Sequence, residues 1–192
     1  MRNFIKEMEA TPNVVLYVVE TAYGDRQHEV TSADNPRHLQ LRTDSEIWIK
    51  ESMINLGVRN LVPYTAKYLA WIDGDISFRD PSWALETIHQ LQHFQVVQPW
   101  QHAIDLGPNG EILQTFQSFG YLHQQGLPKI CKVTDWNSDY KRYGHCGYSY
   151  ACTRSFWEAT GGLIDYAILG AADFHMAWSM VGGVEKTLYV KD

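Results

Sequence analysis

The chain switches repeatedly between two spacings of apolar residues, and the switches predict its elements. A β-branched run at 14–19, VVLYVV, stands between Pro12-Asn13 and Glu20-Thr21 and predicts a first strand. The short continuous run LAWI at 69–72 has the pattern of a central parallel strand buried on both faces, expected to lie beside the first. Between them, 22–36 is polar and broken by Gly24, Asn35 and Pro36, 39–42 reads as a short strand, and Thr43-Asp44-Ser45-Glu46 offers acceptor side chains ahead of a helix. Ile47, Ile49, Met53, Ile54, Leu56, Val58 and Leu61 then suit a mostly buried helix over 47–61.

Asp80-Pro81 opens a second helix over 82–93, with Trp83, Leu85, Ile88 and Leu91 near helical spacing and Glu86 and Gln90 left for water. A strand is expected at 96–100 and another at 148–153, the latter leading into a helix at 154–160 that Gly161-Gly162 ends. After Gly170 a last helix carries Asp173 in its first turn, and 184–192 reads as one more strand that stops abruptly, as though a C-terminal piece followed. The stretch 101–143 has weak periodicity around the turn Gly107-Pro108-Asn109-Gly110 and is expected to be an irregular insertion or acceptor-side region.

The chemistry concentrates where the run at 69–72 stops. Asp73 and Asp75 flank Gly74, and two carboxylates at the end of a strand repel unless something positive lies between them. A hard divalent cation, Mg²⁺ or Mn²⁺, itself holding phosphate oxygens, answers that need. An Asp-x-Asp triplet arises by chance about once in a chain of this size, so its weight comes from the apolar strand before it and from Ile76 and Phe78 after it. Lys50 and Asn55, near the first turns of the helix over 47–61, are a cation and an amide donor suited to a diphosphate. Glu20, Thr21 and Tyr23, after the first strand, are candidates for holding a base. His89 and His93 share a helical face, but no third ligand accompanies them.

Composition narrows the class. At 192 residues, 45% hydrophobic and 20% charged, the chain suits one soluble domain over 1–192 with a three-layer core. A formal charge of −6, with no basic block longer than Lys141-Arg142, disfavours a nucleic-acid partner. Cys131, Cys146 and Cys152 have neither disulfide parity nor zinc spacing, and no run is long enough to cross a bilayer, so a cytoplasmic protein without a transmembrane segment is expected. Seven tryptophans and eleven tyrosines are generous, and Tyr121, Trp136 and Tyr148 are candidates for stacking on sugars.

Taken in order, four stretches carry a resemblance: IWIKESMINLGV, AWIDGDISF, GHCGYSYACTR and GGLIDYAILGAAD. Together they resemble a GT-A type glycosyltransferase, in layout similar to family 2 enzymes and to the β-1,4-galactosyltransferase catalytic core. The resemblance implies a three-layer α/β/α fold with a mostly parallel central sheet, of the nucleotide-diphospho-sugar transferase kind. It also implies inverting transfer from a nucleotide sugar, of UDP type, to a glycan or other hydroxyl acceptor, with Mn²⁺ or Mg²⁺. By the same resemblance Asp73 and Asp75 hold the metal, with Asp75 the more direct ligand. Glu20, Thr21, Lys50, Asn55, Asp73 and Gly74 bind the donor, Gly147 and Tyr148 the acceptor, and Asp173 is the general base. His175 stands in for a late histidine ligand. The chain departs from the family at Ala171 and Ala172, where an acidic residue is common.

Two rivals stand beside this reading. One is a non-catalytic nucleotide- or sugar-binding domain of the same fold. The other is a nucleotidyltransferase, against which the lack of a glycine-rich phosphate loop near Val19 argues.

Overall fold

A computed structural model describes residues 1–126 and 144–187. Helix α1 (Arg2–Ala10) buries Phe4 and Met8, one turn apart on one face, against Trp83 and Ala84 of α3 (Trp83–Gln90). The Glu7 carboxylate fastens α1 to the segment after Asp75, accepting from Ser77 Oγ at 2.8 Å and from the Phe78 amide at 3.1 Å.

Strands β1 (Val18–Tyr23) and β2 (His38–Thr43) form a parallel pair covered by α2 (Lys50–Leu61). Gly57 makes that packing possible, because a Cβ there would stand 2.6 Å from Val19 Cγ2. The first strand thus begins four residues later than the β-branched run suggests. Helix α2 starts at Lys50 with no side-chain cap, so Thr43 to Glu46 do not open it.

The second sheet is antiparallel. Strand β8 (Ser149–Thr153) lies between β3 (Tyr68–Ile72) and β4 (Val96–Val97), antiparallel to both. The strand with neighbours on both sides is therefore β8, and its residues 149–152 are buried without interruption. In β3 only Leu69 and Trp71 are buried and Ala70 is exposed, a pattern of one buried face. Leu69, Trp71, Tyr150 and Cys152 pack with Trp157, Leu163 and Met176 into the main core, where Trp71 stacks on Tyr150 at 5.7 Å.

The third sheet occupies the stretch expected to be irregular. Strands β5 (His102–Leu106) and β6 (Ile112–Ser118) form an antiparallel hairpin, and β7 (Gly144–His145) runs parallel to β6. The hairpin turns at Gly107 to Gly110, with Gly110 at φ +80°. Helix α4 (Phe119–Gln124) follows, capped by Ser118, whose side chain accepts from the Tyr121 amide. Helix α5 (Arg154–Thr160) is capped by Thr153 and ends at left-handed Gly161, and α6 (Ala172–Met180) follows Ala171 at φ +63°.

This arrangement overturns the expected three-layer α/β/α fold with a mostly parallel central sheet. Among the described residues there are three small sheets of mixed sense, and β1 does not pair with β3. An apolar-lined cleft of about 1100 Å³ holds residues of both strands in its walls, with Met53, Ile54 and Trp83 among the others. Residues 184–186 form a turn of 3-10 helix where a strand is expected, and 188–192 of that expected strand lie outside the described residues.

Candidate functional site

The site is assembled where the second sheet, the start of α2 and the start of α6 meet. Pairing of Ile72 with Ser149 sets the next residues opposite one another, and the Asp73 amide donates to the Tyr148 carbonyl at 2.8 Å. The Asp73 carboxylate is ion-paired with Lys50 Nζ, both side chains partly exposed. Asp75 is exposed. Gly74 lies against the flexible Met1 side chain.

Asp173 reaches the same place because its approach segment is stitched to α2. Asn55 donates to the Leu163 carbonyl and accepts from the Leu163 amide, each at 2.9 Å, and donates to Asp165 at 3.3 Å. The Trp48 amide bonds the Ile168 carbonyl at 3.1 Å. These bonds span more than a hundred residues of sequence and bring the start of α6 to Lys50 and Glu51. The Asp173 carboxylate is oriented by its own helix, with Oδ1 accepting from the Phe174 amide at 2.8 Å. Oδ2 faces Gly147, where a Cβ would stand 3.1 Å from it and 2.9 Å from His145 Cε1.

Opposite lies an aromatic group. The Tyr148 ring stacks on His145, centroids 4.2 Å apart, with Trp100 at 5.3 Å from Tyr148 and Phe116 at 4.8 Å from His145. Tyr148 adopts φ +72°, a region that a bulky residue occupies at a cost, and it is held there by its backbone bond to Asp73 and by its hydroxyl, which donates to Asp105 Oδ1 at 2.7 Å. His145 Nδ1 accepts from the Gly147 amide at 3.1 Å, which leaves the neutral ring its proton on Nε2. Burial lowers the His145 pKa, against the opposing pull of Asp173, Asp105 and Asp73, so the ring is uncharged at neutral pH.

Lys50, Glu51, Gly147, Tyr148, Ser149 and Asp173 line one small cavity of about 10 Å³, about the room of one water. Burial raises the Glu51 pKa, and the Asp173 charge adds to it. Burial also raises Cys146 well above its ordinary value and Cys152 to about 12, so both are neutral thiols.

Several expected site residues have other duties. Burial would raise the Glu20 pKa, but hydrogen bonds from the Thr31 hydroxyl and the Glu29, Val30 and Thr31 amides bring it to about 2, which makes this carboxylate a clamp on its own loop. Thr21 Oγ1 is buried on β1 without a partner among the described residues. Asn55 is committed to the 163–165 segment. His175 is 6% exposed, with Nδ1 at 2.8 Å from Thr187 Oγ1. Tyr121 lies against His102, and Trp136 lies outside the described residues.

Sequence reasoning passed over Glu51, Asp105 and His145. Glu51 had a signal, since it falls in helical register with Ile47, Ile54 and Val58, a charge placed on an apolar stripe. Asp105 had none, because only tertiary packing brings it to Tyr148, while His145, three residues before Tyr148, stood in the stretch GHCGYSYACTR without being singled out.

The described residues contain no group of three or more His, Cys, Asp or Glu side chains arranged for a metal ion. Asp73 and Asp75, on either side of Gly74, offer two carboxylates of the donor type that a hard cation takes. No described helix is long and apolar enough to cross a membrane. Compared with known proteins, the chain matches no family model, no curated protein and no solved structure.

Proposed function

We propose that this chain transfers a sugar from a nucleotide-sugar donor, of UDP type, to an acceptor hydroxyl with inversion at the anomeric carbon. The observation that carries the reading is the convergence of Lys50 with Asp73, and of Asp173 with Gly147 and Tyr148, on one site drawn from four parts of the chain. That site pairs a place for a diphosphate with a carboxylate oriented to take a proton.

The donor's diphosphate lies toward Lys50 and the Asp73-Gly74-Asp75 turn. Asp73 and Asp75 would hold a Mn²⁺ or Mg²⁺, which would supply neutralisation of the leaving group's charge. Lys50 adds a positive charge on the protein side, about a third exposed and therefore able to meet a substrate. The acceptor sugar stacks on Tyr148 and the rings around it. Its hydroxyl oxygen attacks the anomeric carbon as the bond from that carbon to the diphosphate oxygen breaks, and the hydroxyl proton passes to Asp173 Oδ2, the oxygen not engaged by Phe174. A cytoplasmic location belongs to the same proposal and is supported by the free, buried Cys146 and Cys152.

A panel of nucleotide sugars with Mn²⁺, scored for release of free nucleotide, tests the reading. Turnover that disappears in Asp73→Asn and Asp173→Asn supports it. Binding of a donor with no turnover in the presence of any acceptor assigns the chain instead to nucleotide-sugar binding.

A further inference from the structure

Glu51 is the only acidic side chain of α2, and it is 5% exposed on the face that Ile54 and Val58 carry into the core. Its Oε2 accepts from Trp48 Nε1 at 2.9 Å. Glu51 lines the one-water cavity together with Lys50, Ser149 and Asp173. Ser149 supplies a second, independent sign of unmet polar capacity there, because its side chain is 1% exposed and its Oγ has no hydrogen-bond partner among the described residues. A buried hydroxyl left alone is costly, and such a group marks a place where another polar atom belongs.

Resting on the transferase reading above, we infer that Glu51 is a positioning carboxyl for the base: in its neutral form it is the O–H donor of the cavity and holds Asp173 with Oδ2 turned to the acceptor hydroxyl. Two carboxylates lining one small cavity do not both ionise readily, and here burial of Glu51 and the neighbouring charge of Asp173 raise the Glu51 pKa. The groups that face it set the balance. Lys50 and the Trp48 N–H favour the ionised form, Asp173 from α6 opposes it, and Asp73, Asp105, His145, Cys146, Tyr148 and Tyr150 are the other titratable groups about the site.

The test begins without substrate, by carboxyl ¹³C NMR on the full chain with labelled glutamate, the Glu51 signal being the one lost in Glu51→Gln. Its midpoint should lie above those of the exposed glutamates and should fall in Asp173→Asn. With the best donor and acceptor, Glu51→Leu should lose about 10- to 100-fold in kcat, the scale for partners that orient a ligating group, with the acceptor KM little changed. Glu51→Gln, which keeps a neutral donor, should recover much of that loss, and its kcat should no longer fall on the alkaline side where wild-type Glu51 ionises. A midpoint among the exposed glutamates, a midpoint unmoved by Asp173→Asn, or Glu51→Gln as impaired as Glu51→Leu overturns the inference. If Glu51→Leu does not fold, the titration and the Gln pH profile decide. Wild-type turnover with an ordinary Glu51 midpoint sinks this inference alone, whereas a coupled midpoint with no turnover of any donor sinks the transferase reading and the catalytic half of this inference with it.

Discussion

The two acidic poles of the site are built on opposite principles. Asp73 sits at a strand end, 27% exposed, and its charge is balanced by Lys50 within reach of water. Asp173 sits beside a cavity with room for one water, next to buried Glu51 and Ser149, and its geometry is fixed by the Phe174 amide and by the bare backbone of Gly147. A pole balanced by a partly exposed partner can exchange that partner for a ligand. A pole held by backbone contacts keeps its orientation whether or not a substrate is present, so the first suits binding and the second suits proton transfer.

The sharpest break in this contrast is Asp173→Asn, which keeps shape and removes the proton acceptor. Turnover with the best donor should fall by about 10²- to 10⁴-fold in steady-state assays of nucleotide release, with donor affinity little changed. Lys50→Met should act on the other pole, lowering kcat by about 10²-fold, the scale for removing one group that meets developing charge. Because Lys50 is a third exposed, donor KM in the wild type should also rise with added salt, an effect absent in Lys50→Met. If both variants change KM alone, the division of labour between the poles is wrong.

Asn55 helps to bring the poles together by tying the 163–165 segment to α2, which makes Asn55→Ala the next step down. The Leu163 amide and carbonyl lose their partners at a part-buried position, so stability should fall by about 1–3 kcal/mol in urea unfolding. Turnover should fall with it, through the displaced Asp173.

How much of this was legible in the sequence follows from the range of each signal. Helices α2, α3, α5 and α6 were readable because their apolar spacing is local, as is the glycine that ends α5, although α1 and α4 were passed over. Strand β8 was readable too, but its role as the central strand was not. The run at 69–72 looked central because it is apolar, yet a strand's neighbours are chosen by tertiary pairing, and Ala70 faces outward. The hairpin of β5 and β6 was hidden by polar residues such as Gln114, Thr115 and Gln117, which suit a sheet with a wet face and dilute any period. Within the site, Asp73 and Asp173 were visible because each ends or begins an element. Asp105 was invisible because what places it is the bond from the Tyr148 hydroxyl.

The smallest expected effect on the site, and the one that separates site from scaffold, concerns Glu20. Its carboxylate is held near a pKa of about 2 by the Thr31 hydroxyl and the amides of 29–31, against the opposing effect of burial, while in the unfolded chain it takes up its proton near the ordinary 4.5. Between those values the unfolded state binds the extra proton, so the contribution of Glu20 is complete above about pH 4.5 and drains away as pH falls toward 2. Glu20→Gln should therefore be less stable than wild type at pH 7, with the gap narrowing steadily on acidification in thermal melts. Donor affinity at pH 7 should be unchanged, since the clamp closes a loop and not the diphosphate side. A donor affinity that drops in Glu20→Gln while the melts coincide would return Glu20 to the donor site, and would mean that the exposed pole extends from Asp73 across to β1.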